Sequence, residues 1–360
     1  MKKFKTWLLA GLLVLIAPSL HAERIPVEQI PIVDFTPFRT GDPSQRKQAA
    51  LELAGAFRNV GFAYLAGHGV DQELIDRTFA EAGRFFDLQR EKKAEVAVEK
   101  SNCDRGWFDI GMENLDPDKQ EEGDLKEGYR IGNDLPPDHP LVRRGLPFHG
   151  PNQWPTDVPG FRETMEAYFA AVHGLAREVT HAIAVALELP EDYFDAWFTT
   201  PMVIMSPLHY PPQAAADGGE ISEARIGAGA HSDYGCLALL AQDDRGGLQV
   251  RNAAGQWIDA KPVRGTFVVN VGDMLARWTN DLFPPTLHRV INTSGAERQS
   301  IPFFYDPNHD APVEVIPTVL REGEEPRYPP TTSLAHLQER FGATLPYLDE
   351  RLVDADKRTT

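Results

Sequence analysis

From Met202 onward the chain is a succession of short runs rich in β-branched and aromatic residues: MVIMSPLHY, CLALLAQ, LQVRN, TFVVNV, TLHRVIN and SIPFFYD. Gly-rich or Asp/Asn turns separate them. Such runs, punctuated by turn formers, read as strands. A lone short strand buries too little apolar surface to persist, so these must close on one another. A series of this kind folds as a sandwich or jelly roll, with a cleft between its two sheets. The expectation is a mostly β chain with flanking helices and a double-stranded β-helix (jelly-roll) core.

Within that series lie residues that can hold a metal. The text GAGAHSDYGCLALLAQDDRGGLQV contains His231 and Asp233. In an extended segment residues i and i+2 point the same way, so both can face an interior while Ser232 faces out. A third ligand must come from elsewhere. His288, in TLHRVIN, is the candidate, sharing a strand face with Thr286 and Val290. Two imidazoles and one carboxylate on one face of an octahedral metal leave the opposite face open, the arrangement of non-haem Fe(II) oxygenases. Alone, an H-x-D is weak, and an Asp after Ser often just makes a turn. The order H-x-D, strands, His288, then Arg298-Gln299-Ser300 carries the signal.

Taken in order, the motifs IPIVDF, AFRNVGFAYLAGHGV, HYPPQ, HSDYG, GGLQV, NVGDMLARWTND, LHRVIN and ERQSIPFFYDPN span most of the chain. Together they resemble the Fe(II)/2-oxoglutarate-dependent dioxygenases, in the branch similar to isopenicillin N synthase. The resemblance implies Fe(II) held by His231, Asp233 and His288. It also implies 2-oxoglutarate as cosubstrate, its distal carboxylate bound by Arg298 and Ser300, and O2 as oxidant. A guanidinium fork suits a carboxylate, and a hydroxyl adds a neutral donor. Tyr210 matches a position that donates to the same carboxylate in plant-type relatives. The Asn that often stands two residues before that Tyr is Leu208 here, a departure from the pattern.

Residues 1–22 read as a secretory signal, with Lys2, Lys3 and Lys5 before the apolar run Trp7–Ile16, a breaking Pro18, and Ala22 before the cleavage point. The apolar run is too short for an ordinary membrane span. Export, to the periplasm, is the expectation; a cytoplasmic protein with a misassigned start is the alternative. Next come an N-terminal dioxygenase-like α/β region over residues 23–155, a scaffold helix within 156–195, the jelly-roll catalytic domain over 196–318 and a C-terminal helical tail over 319–360. In the N-terminal region IPIVDF and GFAYLAG read as strands. Asp42 and Asp71 read as helix caps, with Ala50, Leu53, Ala54 and Phe57 at helical spacing after the first. Phe161, Met165, Phe169, Val172, Leu175, Val179, Ile183 and Leu187 recur at steps of three and four, the clearest helix in the chain.

Residues 101–154 are irregular. The run DPDKQEEGDLKEGYR is most simply a solvated loop, with a lid over the site as the alternative. Gln213 to Arg225 read as a loop before the metal motif. Phe303, Phe304 and Tyr305 should alternate inward and outward; Tyr234, Trp278 and Phe283 are further aromatics near the motifs. Cys103 and Cys236 read as small core residues or free thiols, and a disulfide is the alternative. His68, His173 and His181 read as structural.

A formal net charge of −17 over 360 residues argues against nucleic acid or an anionic membrane as the main partner. The resemblance implies a small-molecule substrate. It also implies oxidation of one of the substrate's C–H bonds by hydroxylation, desaturation or cyclisation, with release of succinate and CO2. The alternatives are an oxidase that, like isopenicillin N synthase, does without 2-oxoglutarate; ethylene formation from 2-oxoglutarate; and a non-catalytic exported metal-binding jelly roll.

Overall fold

The computed structural model describes residues 24, 27–117, 120, 123–213 and 226–344, with the side chains of 342–344 left out. The signal-like segment, most of the Gln213–Arg225 loop and the final DADKRTT lie outside the described residues.

The N-terminal region opens with β1 (Ile32–Asp34), α1 (Thr36–Thr40), α2 (Pro43–Val60) and β2 (Phe62–Ala66). It continues with α3 (Gln72–Phe86), α4 (Arg90–Lys93), β3 (Gly106–Phe108), β4 (Glu127–Arg130) and α5 (Pro140–Arg143). Then comes α6 (Phe161–Ala186), the long helix expected from the periodicity. The strands that follow are β5 (Met202–Met205), β6 (Leu208–Tyr210), β7 (Ala228–His231), β8 (Leu237–Gln242), β9 (Leu248–Arg251), β10 (Trp257–Asp259) and β11 (Thr266–Val271). The chain goes on through α7 (Asp273–Trp278), β12 (His288–Val290), β13 (Arg298–Asp306), β14 (Pro312–Val313), β15 (Thr331–Thr332) and α8 (Ser333–Thr344).

The helix starts follow their caps. Asp42 accepts from Ser44 and Gln45 backbone N–H groups, and the Gln45 side-chain oxygen accepts from the Asp42 N–H in return, a reciprocal capping box. Asp71 caps α3 through Glu73. Gly61 ends α2 at φ 72, the left-handed conformation that glycine adopts without strain.

Two sheets enclose the cleft. The large mixed sheet runs β1-β2-β11-β8-β13-β6-β4-β3, with β5 also paired to β13. The second runs β10-β9-β12-β7. The N-terminal region is therefore continuous with the barrel: β1-β2 and β4-β3 extend the large sheet at its two ends.

Side-chain alternation along β13 separates support from site. Ile301, Phe303 and Tyr305 join the core cluster that also holds Met165, Val172 and Val179 of α6. Arg298, Ser300, Pro302, Phe304 and Asp306 face the cavity between the sheets. Trp278 and Phe283 belong to the core, at 1% and 0% exposure, and do not line the cavity.

The solvated-loop reading of DPDKQEEGDLKEGYR is corrected over its second half. Asp124, Lys126, Glu127, Tyr129 and Arg130 are buried, and residues 127–130 form β4. The charges tolerate burial because each finds an opposite partner: Lys126 meets Asp124 and Glu113, Arg130 meets Asp104 and Glu113, and Glu127 meets Lys93 and His209. Leu125 N–H donates to Ile226, and Asp124 accepts from Gly229 N–H, so this segment docks along β7.

Candidate metal centre and its cavity

β7 and β12 are antiparallel neighbours, and their register sets His231 directly opposite His288. The ring centroids lie 4.3 Å apart. Asp233 lies just past the end of β7 and not in continuous strand; the turn is held by Asp273 N–H donating to the Asp233 carbonyl at 2.8 Å. Its Oδ1 is 3.9 Å from His231 Nε2 and 3.7 Å from His288 Nε2. The three potential ligand atoms all lie within 4.8 Å of one another. Ser232, expected to face away, borders the cavity and bonds to Asp273.

The hydrogen bonds around these groups fix which atoms are left to bind. His231 Nδ1 lies 2.7 Å from the Gly229 carbonyl and His288 Nδ1 lies 3.1 Å from the Thr286 carbonyl. A carbonyl only accepts, so each Nδ1 carries a hydrogen and each Nε2 is the ring atom turned to the metal position. Burial, followed by the neighbouring His288, pushes His231 down to about 3, so it stands neutral. Asn270 of β11 donates to Asp233 Oδ2 at 2.6 Å, leaving Oδ1 to face the imidazoles. Two imidazole Nε2 atoms and a carboxylate oxygen suit a divalent first-row metal, and the outer partners fix their orientation. Among the described residues this is the one such set.

A second group lies on the large sheet. Arg298 is 1% exposed. Its Nε donates to the Gly246 carbonyl at 2.6 Å and its Nη1 to Ser300 Oγ at 3.2 Å. Its Nη2 is buried and meets no acceptor among the described residues. The guanidinium carbon stands 4.6 Å from the centroid of the Tyr210 ring, its cross-strand partner. A buried guanidinium with an unanswered NH2, beside a hydroxyl, fits the carboxylate of an oxo-acid. Leu208 pairs with Ser300 and presents an apolar side chain where an amide would have offered another donor.

The cavity that joins the two groups has a volume of about 190 Å³. Phe304 and Tyr234 border it, as do Leu337 and Phe341 of α8. α8 is fastened over Tyr234: His336 Nε2 lies 2.8 Å from the Tyr234 carbonyl, and Arg340 stacks on its ring while pairing with Asp273 at 2.9 Å. Asp104, Glu113, Lys126 and Arg130 supply an ionic wall. Sequence reasoning named neither these four nor Asn270. An Asn inside the apolar run TFVVNV was the available signal for the latter.

The remaining histidines and the cysteines stand apart from the set. His68 Nδ1 accepts from Val70 N–H, His181 pairs with Asp195, and His173 packs edge-on against Tyr305. Cys103 and Cys236 are both free and buried.

Comparison with known proteins agrees with this geometry. Residues 30–157 match the family model described as non-haem dioxygenase in morphine synthesis N-terminal, and residues 201–307 match the 2OG-Fe(II) oxygenase superfamily. A 2-oxoglutarate-Fe(II) type oxidoreductase of Emericella nidulans is 39% identical over 306 residues, covering 84% of this chain and 86% of that protein. A homoarginine-6-hydroxylase of Glycine max is 36% identical over 299 residues, covering 80% and 88%. A Neurospora crassa protein solved with alpha-KG (2-oxoglutarate) and thymine superposes with a TM-score of 0.77 at 35% identity, covering 87% of this chain and 96% of that one.

Proposed function

The chain belongs to the 2OG-Fe(II) oxygenase superfamily, and from that premise we propose how its residues divide the work on a small-molecule substrate. His231, Asp233 and His288 hold Fe(II) through Nε2, Oδ1 and Nε2. Arg298 and Ser300 hold the distal carboxylate of 2-oxoglutarate, and the Tyr210 ring backs the guanidinium. Bound iron and cosubstrate supply the oxidising chemistry, in which O2 is consumed, succinate and CO2 are released and a substrate C–H bond is oxidised. Hydroxylation is the outcome we favour.

The chain's own part is orientation and exclusion of water. Asn270, Gly229 and Thr286 fix the three metal-binding atoms before any metal arrives. The Gly246 carbonyl aims the guanidinium, and α8 covers the Tyr234 side of the cavity. The observation that carries this reading is the pair of unanswered groups facing one cavity: two imidazole Nε2 atoms with their carboxylate, and the Arg298 NH2. Anaerobic addition of Fe(II) and 2-oxoglutarate should give a weak visible charge-transfer band. A metal-binding protein that does not chelate the oxo-acid would give none.

The order of motifs from IPIVDF to ERQSIPFFYDPN supports placement in the isopenicillin N synthase-like branch. The basic start, apolar run and small residue at 22 support export. Fractionation of cells making the full chain tests this: a protein found in the cytoplasm with residues 1–22 retained would end the export reading.

A further inference from the structure

Two unlike sets of residues line the cavity. Leu208, Leu240, Leu248 and Val290, drawn from both sheets and packed in one cluster, make its apolar lining, and Asp104, Glu113, Lys126 and Arg130 make its ionic one. The side chains of the ionic wall are at most 14% exposed. Lys126 Nζ lies 2.5 Å from Asp124 Oδ2 and 3.0 Å from Glu113 Oε2. Arg130 Nη1 lies 2.5 Å from Asp104 Oδ1, and its Nη2 meets the other oxygen of Glu113. Arg105, fully buried behind them, is within electrostatic reach of Asp104 and Arg130. Among the described residues named here, three carboxylates thus face three cations, and their formal charges cancel.

The metal-and-cosubstrate side balances too. The two charges of a bound ferrous ion and one of Arg298 would meet the Asp233 carboxylate and the two carboxylates of 2-oxoglutarate, and Asp306, the other carboxyl on the lining, is engaged by Cys236 N–H at 2.6 Å. A charged substrate entering between these halves would bring an ion with no counter-ion among largely buried side chains. Burying an unpaired ion costs far more than burying a neutral polar group that gains one hydrogen bond. An ammonium carries three N–H groups, and among the described residues Asp124 and Glu113 answer two of those on Lys126.

We propose, resting on the oxygenase reading above, that the substrate is a small uncharged molecule carrying a ring or amide carbonyl, of the lactam, imide or pyrimidine type. Lys126 donates to its oxygen, and the apolar lining holds the carbon skeleton that is oxidised. The mutually paired ions discriminate against carboxylates and guanidinium compounds of the same size.

The test uses the anaerobic Fe(II)·2-oxoglutarate enzyme, titrated with 2-pyrrolidinone and glutarimide, with pentanoate, and with butylguanidinium. Displacement of the visible band reports binding. The uncharged probes should bind at least about tenfold more tightly than either ion. Lys126→Met leaves Glu113 and Asp124 in excess and should move the preference about tenfold or more toward butylguanidinium. Glu113→Gln, near-isosteric and able to carry the test if the first variant does not fold, should move it toward pentanoate. If the band forms and an ion binds as well as the uncharged probes, or no series is preferred, the inference is overturned while the oxygenase reading stands. If no band forms before any probe is added, the oxygenase reading fails and takes this inference with it.

Discussion

Asn270 donates to Asp233 Oδ2 at 2.6 Å, and that one bond decides which carboxylate oxygen faces the two imidazoles. Asn270 is 4% exposed and sits on β11, a strand paired on both sides. It is therefore a rigid support, and it touches Asp233 on the side away from the histidines.

Asn270→Ala should lower Fe(II) affinity by about ten- to a hundredfold, the usual effect of removing an outer partner of a metal ligand. An anaerobic Fe(II) titration of the folded variant measures it. An unchanged affinity would mean that Asp233 is oriented by its turn alone.

Arg298→Ala should weaken 2-oxoglutarate by about thirtyfold or more, from the loss of charge-assisted hydrogen bonds worth roughly 2 kcal/mol. Fe(II) affinity should move by less than about threefold, because Arg298 makes no contact with the metal set. Isothermal titration with each ligand separates the two. Equal losses would contradict the division of roles.

Asp306 gives a pH signature. Burial, aided by Asp233 and opposed by the Cys236 N–H, raises its carboxyl to about 7 from an ordinary 3.8. The folded state thus holds this proton more tightly than the unfolded chain. Its contribution is present below the ordinary value and is lost as pH rises through the window between about 4 and 7. Asp306→Asn keeps an acceptor for Cys236 N–H at 2.6 Å and removes the titration. In metal-free protein the variant should gain on the parent between pH 5 and pH 8, by on the order of 2–4 kcal/mol. Denaturant melts at both pH values check it; a flat difference would mean that the carboxylate is solvated after all.

Gly229→Ala should be costly. A Cβ there would lie 2.8 Å from both the backbone N and the Cβ of Asp116, where the acidic segment crosses β7. Overpacking of this kind costs about 1–3 kcal/mol. Gly174→Ala is the control: it lies inside α6, a Cβ there meets nothing within 4 Å, and a gain of roughly 0.5–1 kcal/mol is expected. Thermal melts of the pair should move in opposite directions.

Much of this architecture was legible because it rests on local rules. Period two brought out β13, steps of three and four brought out α6, and Asp42 and Asp71 announced their helices. His231, Asp233 and His288 were legible because few residue types ligate metals. The ionic wall was hidden for the converse reason. Lys126 and Arg130 are buried only because Glu113 and Asp104 come to meet them, and nothing in GDLKEGYR reports a partner 26 positions away. Trp278 and Phe283 were ambiguous for a related reason, since an aromatic near a motif reads the same whether it faces the cavity or the helices.

The alternation along β13 sets a limit on how this protein can change. Its even-numbered residues from Arg298 to Asp306 border the reaction chamber, and its odd-numbered ones from Ile301 to Tyr305 plug into the helical backing. A single inserted or deleted residue would exchange the two sets, driving a guanidinium into the hydrocarbon interior and aromatic rings into the chamber. Evolution can therefore retune what this enzyme accepts by editing the crossing segment around 104–130 or the terminal helix, while the length of this strand stays frozen.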